Sequence, residues 1–181
     1  MRALLDTNLL ISYLLSPNSE SATNAVIEAA LYKRYTLLLP EEVVDELART
    51  VLRKHHLAER ITLKSIDRTV KSLQNVAEVI PQITEEIPQV TADPKDDYLI
   101  AYAMVGQADF LITRDDKHLL QLNKIANLAI VSPKQFIERI SGQGGKSVTA
   151  STTGALKSSE PPLTAKQLRE AAEKAIAEGN S

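Results

Sequence analysis

The stretch LLDTNLLISYLL, residues 4–15, sets Asp6 and Asn8, two residues apart, inside a run made mostly of Leu and Ile. Continuous Leu and Ile of this kind read as a strand buried on both faces, where a carboxylate is costly unless something pairs with it. Two readings stay open at this point. Asp6 and Asn8 end a strand and cap the helix after it, or they hold a charge.

The chain has 181 residues, enough for one domain with some length to spare. Apolar residues make up 44%, charged residues 24% and aromatics 4%, the balance of an aliphatic-cored protein. With no Cys there is no disulfide framework, thiolate metal site or cysteine nucleophile. No apolar run approaches the roughly 18–20 residues of a membrane span. Met1 leads almost at once into the first strand, which leaves no room for a signal peptide, so a cytoplasmic address is expected.

A net charge of −2 does not describe a globally basic nucleic-acid binder, but the charge is uneven. Between Arg49 and Lys71 lie seven Lys and Arg (Arg49, Arg53, Lys54, Arg60, Lys64, Arg68, Lys71) against Glu59 and Asp67, with His55 and His56 in the same stretch. Arg60, Lys64, Arg68 and Lys71 share helical spacing. They form a solvated helix face unless an active site lies nearby, in which case they are candidates for phosphate contacts. His55 and His56 read as caps on the end of a basic helix.

Short aliphatic runs alternate with helical patterns along the first 140 residues. Strands are expected at Ala3–Asp6, Thr36–Pro40, Val79–Ile80, Asp109–Thr113 and Leu128–Ser132. Helices are expected through SESATNAVIEAALYK, EEVVDELARTVLRK, ITLKSIDRTVKSLQNV, PKDDYLIAYAMVG, RDDKHLLQL and PKQFIERI, with Gly106 as a C′ residue. This alternation predicts an α/β fold, parallel βα units under one sheet, with a site at the carboxyl ends of the strands.

Acids appear at those ends. Asp6 closes the first strand, Asp115 follows DFLIT, Asp96 opens a helix, and Glu46 lies one and a half turns into the helix after the second strand. Each has an ordinary reading as a cap or a solvated residue; their joint placement is what informs. Four converging carboxylates cannot all stay ionised unless cations neutralise them. Oxygen ligands favour Mg²⁺ or Mn²⁺, which serve in-line phosphoryl displacement. His118, three residues after Asp115, is close enough to act as a base, a role that a metal-activated water makes unnecessary.

DTNLL after the first strand, LPEEVVDEL, DPKDDYLIAYA and FLITRDDKHLL together resemble the PIN-domain nucleases, especially VapC-type toxins of toxin–antitoxin pairs. The likeness spans residues 1–140. It implies a parallel sheet with helices on both faces and divalent-metal-dependent cleavage of RNA. The acidic site then falls on Asp6, Glu46, Asp96 and Asp115, with Asp6, Asp96 and Asp115 as metal ligands. Asn8, Asp97 and Thr113 would steady them, and Glu42 and Asp97 are fallback acids. Arg60, Lys64 and Arg68 become the RNA contacts. Pro40 stands where such toxins often carry Ser, which bears on the helix cap rather than the acid. A homodimer and a VapB-like antitoxin partner are further implications.

Residues 141–154, SGQGGKSVTASTTG, read as a linker, and residues 155–181 carry a two-proline entry and one helix opened by Thr164 and Gln167. This tail resembles the toxin-binding part of VapB-type antitoxins, without a DNA-binding domain before it. The resemblance implies self-inhibition, with Arg169 and its neighbour Lys166 inserted into the acidic site. Rival readings are a structure-specific DNA nuclease and a catalytically silent RNA-binding or assembly module.

Overall fold

The computed structural model of the chain describes residues 1–84, 87, 89 and 96–143. Four strands form the centre: β1 (Arg2–Leu5), β2 (Thr36–Pro40), β4 (Phe110–Ile112) and β6 (Leu128–Val131). At the edges lie β3 (Glu78–Ile80) and the short β5 (Lys124–Ile125), in the order β3-β2-β1-β4-β6-β5. All pairings are parallel except β5 with β6. The register aligns Leu38, Leu4, Leu111 and Ile130 in one row across four strands, all buried. Such a sheet is covered on both faces, which is why its strands are almost uniformly aliphatic.

Helices flank the sheet: α1 (Thr7–Leu15), α2 (Ala22–Leu31), α3 (Glu41–Arg53), α4 (His55–Ala58), α5 (Leu63–Gln74), α6 (Asp97–Val105) and α7 (Pro133–Gln143). α6 packs on β1 and β4, while α1 packs on α2 and α3, and α2 on α7. Right-handed crossovers account for this division, because the chain runs outward from β1 to β3 and then returns to β4. The strand order therefore reverses between β1 and β4. In an open α/β sheet that is where a crevice opens at the carboxyl ends.

Several local expectations change. The first strand stops at Leu5 rather than Asp6, and residues 7–15 form a helix, because Asp6 caps it and Leu9, Leu10 and Tyr13 recur at helical spacing on the core side. His55 and His56 do not cap α3. An extended Lys54 ends that helix, and both histidines open the single turn of α4. Arg60 precedes α5, whose first residue is Leu63 and whose cap is Thr62, so it does not share a helix face with Lys64 and Arg68. RDDKHLLQL forms only a 3₁₀ turn at Leu119–Leu122. α7 runs on to Gln143, three residues into the expected linker. The rest of that linker and the whole tail, with Lys166 and Arg169, lie outside the described residues.

Gly106 is not the left-handed residue after α6. It keeps φ −75°, and Gln107 takes φ 50° instead. Packing explains the glycine, since a Cβ there would lie 2.6 Å from Ile80 Cδ1 and 2.8 Å from Leu38 Cδ1. Among the described residues no helix is long and apolar enough to cross a membrane.

Candidate active site

Sheet register builds the site. Leu5 pairs with Ile112, and Ile112 with Val131, so the next residues of β1 and β4, Asp6 and Thr113, emerge side by side at the reversal point. Their backbones prolong the ladder: Asp6 N–H donates to Ile112 O at 3.0 Å, and Thr113 N–H to Val131 O at 3.1 Å. The Thr113 hydroxyl, fully buried, donates to Asp6 Oδ2 at 2.6 Å.

Asp6 is 4% exposed. Its Oδ1 accepts the Asn8 backbone N–H at 3.0 Å, while the Asn8 side-chain amide reaches Oδ2 only at 3.5 Å. Asn8 thus holds Asp6 mainly through its backbone. Asp6 is both the helix cap and a buried charge, so the two readings of residues 4–15 hold together. Burial pushes its carboxyl above the ordinary carboxylate range; the Thr113 and Asn8 hydrogen bonds oppose that rise, and the nearby Glu46 charge adds to it.

Asp115 follows directly. Its backbone N–H donates to Thr113 Oγ1 at 3.0 Å, so one hydroxyl joins Asp6 to Asp115. Asp115 Oδ1 accepts the N–H groups of Lys117 at 2.9 Å and His118 at 3.0 Å, and the His118 ring Nδ1 lies 3.1 Å from Oδ2. Partial burial pushes this carboxyl upward, but the His118 N–H, the His118 ring and the Lys117 N–H together outweigh it and leave it below the ordinary value. The two acids flanking Thr113 are therefore shifted in opposite directions.

Asp96 occupies the N-cap position of α6 without a side-chain capping hydrogen bond, and Asp97 is buried in the first turn. One ligand atom each from Asp96, Asp115 and His118 lie within 4.8 Å of one another. Two carboxylates and an imidazole fit a small divalent cation. The carboxylate oxygens suit Mg²⁺ or Mn²⁺, whereas an imidazole donor favours softer divalent ions. Asp6, expected as a third ligand, is not one of these three; Thr113 ties it to the Asp115 backbone instead.

Glu46, on α3, takes a different position. Its Oε2 accepts from Thr7 Oγ1 at 2.5 Å and from the Tyr98 hydroxyl, and those two hydroxyls lie 3.2 Å apart. Burial foremost, then the hydrogen bond to Glu46, raises the Tyr98 phenol well above its ordinary value, so it stays a donor. Glu42 turns away, toward Arg49 and Gln82. Arg60, Lys64 and Arg68 are all exposed, and Lys71 pairs with Asp67 at 2.9 Å.

The structure thus brings Asp96, Asp115 and His118 together, ties Asp6 through Thr113 to the backbone of Asp115, and holds Glu46 by Thr7 and Tyr98. It adds three residues to the expected set. His118 is visible in the sequence from its spacing to Asp115. Thr7 and Tyr98 sit inside the DTNLL and DPKDDYLIAYA motifs, but neither side chain is of a type that draws attention by itself.

The fold is an α/β sheet with an acidic crevice where the strand order reverses, between β1 and β4. The PIN domain profile matches residues 2–117, and the chain belongs to the PIN domain family, whose members are generally nucleases. No curated protein matches it. A structure of VapBC2 from Rickettsia felis, bound to a DNA fragment from its promoter, is similar in fold at 15% identity. That likeness covers 73% of this chain and 98% of the other, with a TM-score of 0.46.

Proposed function

We propose that the chain is a divalent-metal-dependent endoribonuclease of the VapC toxin kind, silenced by its own C-terminal tail. The observation that carries the reading is the meeting of Asp96, Asp115 and His118 ligand atoms within 4.8 Å, one hydroxyl away from a buried Asp6. Asp96, Asp115 and Asp6 would hold Mg²⁺ or Mn²⁺ in the cytoplasm. Bound there, such an ion would supply Lewis-acid activation of water and charge neutralisation at the phosphate.

The chain's own residues do the rest. Thr113 fixes the spacing of Asp6 and Asp115. Asn8 and Asp97 steady the acids, and Thr7 and Tyr98 aim Glu46. His118 narrows the orientation of Asp115. Arg60, Lys64 and Arg68 extend a cationic surface that attracts the RNA backbone. A VapB-like antitoxin or the tail itself is the expected partner, and the working unit is a homodimer. The eleven residues 144–154 that follow α7 would, as a flexible linker, reach about 18 Å on average, for docking in cis or across the dimer.

The test compares the full chain with one ending after Gln143 on unlabelled cellular RNA, with and without Mn²⁺. Residue 143 is the right place to cut, because Ile140 is buried within α7. Metal-dependent cleavage by the shortened chain supports the reading; its absence in every metal tested refutes it.

A further inference from the structure

Beside the acidic centre, on the side of β4 and β6, a groove of about 390 Å³ opens between α1, α2, the 3₁₀ turn and α7. Its polar wall is Ser12, Ser21, Thr23, Arg114, Ser132 and Lys134. None of the described residues lining it is acidic. In a chain of net charge −2, two cations and four hydroxyls in one depression make it chemically distinct from the cluster next door.

Its position is set by the chain. Arg114 stands between Thr113 and Asp115, so the groove begins one residue from the acids. One of its guanidinium nitrogens, Nη1, donates to Ser12 Oγ at 2.9 Å, which fixes the planar group against α1. A guanidinium has five N–H donors arranged as a fork, so this anchor holds the group in place while leaving it able to face an anion. Lys134 lies in the first turn of α7, exposed. The Ser132 N–H donates to Gln135 Oε1 at 2.8 Å, and the Gln135 N–H to Ser132 Oγ at 3.3 Å, a reciprocal cap that fixes the turn carrying Lys134.

We propose that this groove is the track for the phosphates next to the cleavage point, held by Arg114 and Lys134, with the Ser12 and Ser132 hydroxyls as further donors. The inference rests on the nuclease reading and adds to it the path of the strand. An acidic crevice repels a polyanion, so a strand must be held by cations just outside it. Arg114 is the chain neighbour of Asp115, and Lys134 lines the same groove as Arg114. The stretch around α5 extends a longer substrate but does not share this wall.

The experiment uses the full chain carrying Arg169→Glu, expected to loosen the tail, beside the unmodified chain, in Mn²⁺. A short single-stranded oligoribonucleotide restricts binding to the neighbourhood of the cut. Arg114→Ala with Lys134→Ala should raise KM roughly tenfold and lower the log–log salt slope by about 1.4, since two phosphates go unneutralised at about 0.7 each. Arg114→Lys with Lys134→Arg keeps the charges and should keep the slope, which a merely structural role would not ensure.

Unchanged KM and slope in the alanine pair, with cleavage intact, would overturn the track and leave the nuclease reading standing. So would an alanine pair that activates the unmodified full chain without changing KM, since the groove would then belong to the tail. If no form of the chain cuts RNA, the nuclease reading fails and the track with it, and the parent chains reveal that first.

Discussion

Thr113 donates its hydroxyl hydrogen to Asp6 across the β1–β4 boundary at 2.6 Å. The same oxygen accepts the Asp115 backbone N–H at 3.0 Å, so one side chain ties together the two acids that follow neighbouring strands β1 and β4. Thr113→Val keeps the shape and removes the link. It should cost about 1–3 kcal/mol of stability, the usual penalty for leaving a buried polar partner unsatisfied. Cleavage should fall by a larger factor than stability alone explains, while Thr113→Ser should keep most of both. Urea midpoints beside initial rates check this, and equal activity in Thr113→Val would mean that the bridge does not position the acids.

Asp6 carries the clearest pH signature. Its folded-state pKa is raised, by burial first and the Glu46 charge last, against the Thr113 and Asn8 hydrogen bonds. Between the ordinary value of 3.8 and that raised value, the folded chain keeps a proton that the unfolded chain has lost. Stability from this group therefore falls as pH rises through the window, and the full penalty persists above it. With metal chelated, Asp6→Asn should remove that fall and be as stable as the parent, or more stable, at neutral pH. Denaturant titrations across pH in a chelator would contradict this if both chains followed the same curve. Asp96→Asn, like Asp6→Asn, should abolish cleavage without unfolding the chain.

The basic stretch has its own test. Reversing Arg60, Lys64 and Arg68 to Glu should weaken binding of a long RNA and flatten its salt dependence, by about 0.7 in slope for each phosphate that is no longer neutralised. Because Arg60 lies outside α5, Lys64 and Arg68 reversed together should account for most of the change. A slope equal to that of the parent returns all three to the solvated surface.

For the tail, Arg169→Glu should restore much of the cleavage that the full chain lacks. A guanidinium can bridge two carboxylates with paired hydrogen bonds, and a carboxylate there repels them instead. Lys166→Glu should have a smaller effect. If Lys166→Glu activates and Arg169→Glu does not, the inhibitor stands and the inserted residue changes.

The sheet is readable in the sequence because its strands are buried on both faces and so appear as uninterrupted aliphatic runs; Thr36–Pro40 matches to the residue. Residues 7–15 are harder. Leu9, Leu10 and Ile11 are consecutive and all buried, so their run hides the helical period. The antiparallel β5 is two residues long and carries no pattern at all. In the site, the acids are legible by their joint placement after β1, after β4 and near the starts of helices, since each alone reads as a cap or a solvated residue. Their partners are not: Thr7 and Tyr98 reach Glu46 only through the packing of α1 and α6 around α3, a contact that chain order does not encode.

The most direct test of the central claim is the cleavage rate of single-stranded RNA by the chain ending after Gln143, with Mn²⁺ present or chelated, for the parent and for Asp6→Asn. Cleavage that needs both the ion and the Asp6 carboxylate is the predicted result. Cleavage that survives chelation or Asp6→Asn, or no cleavage by the parent in any divalent ion, would contradict it.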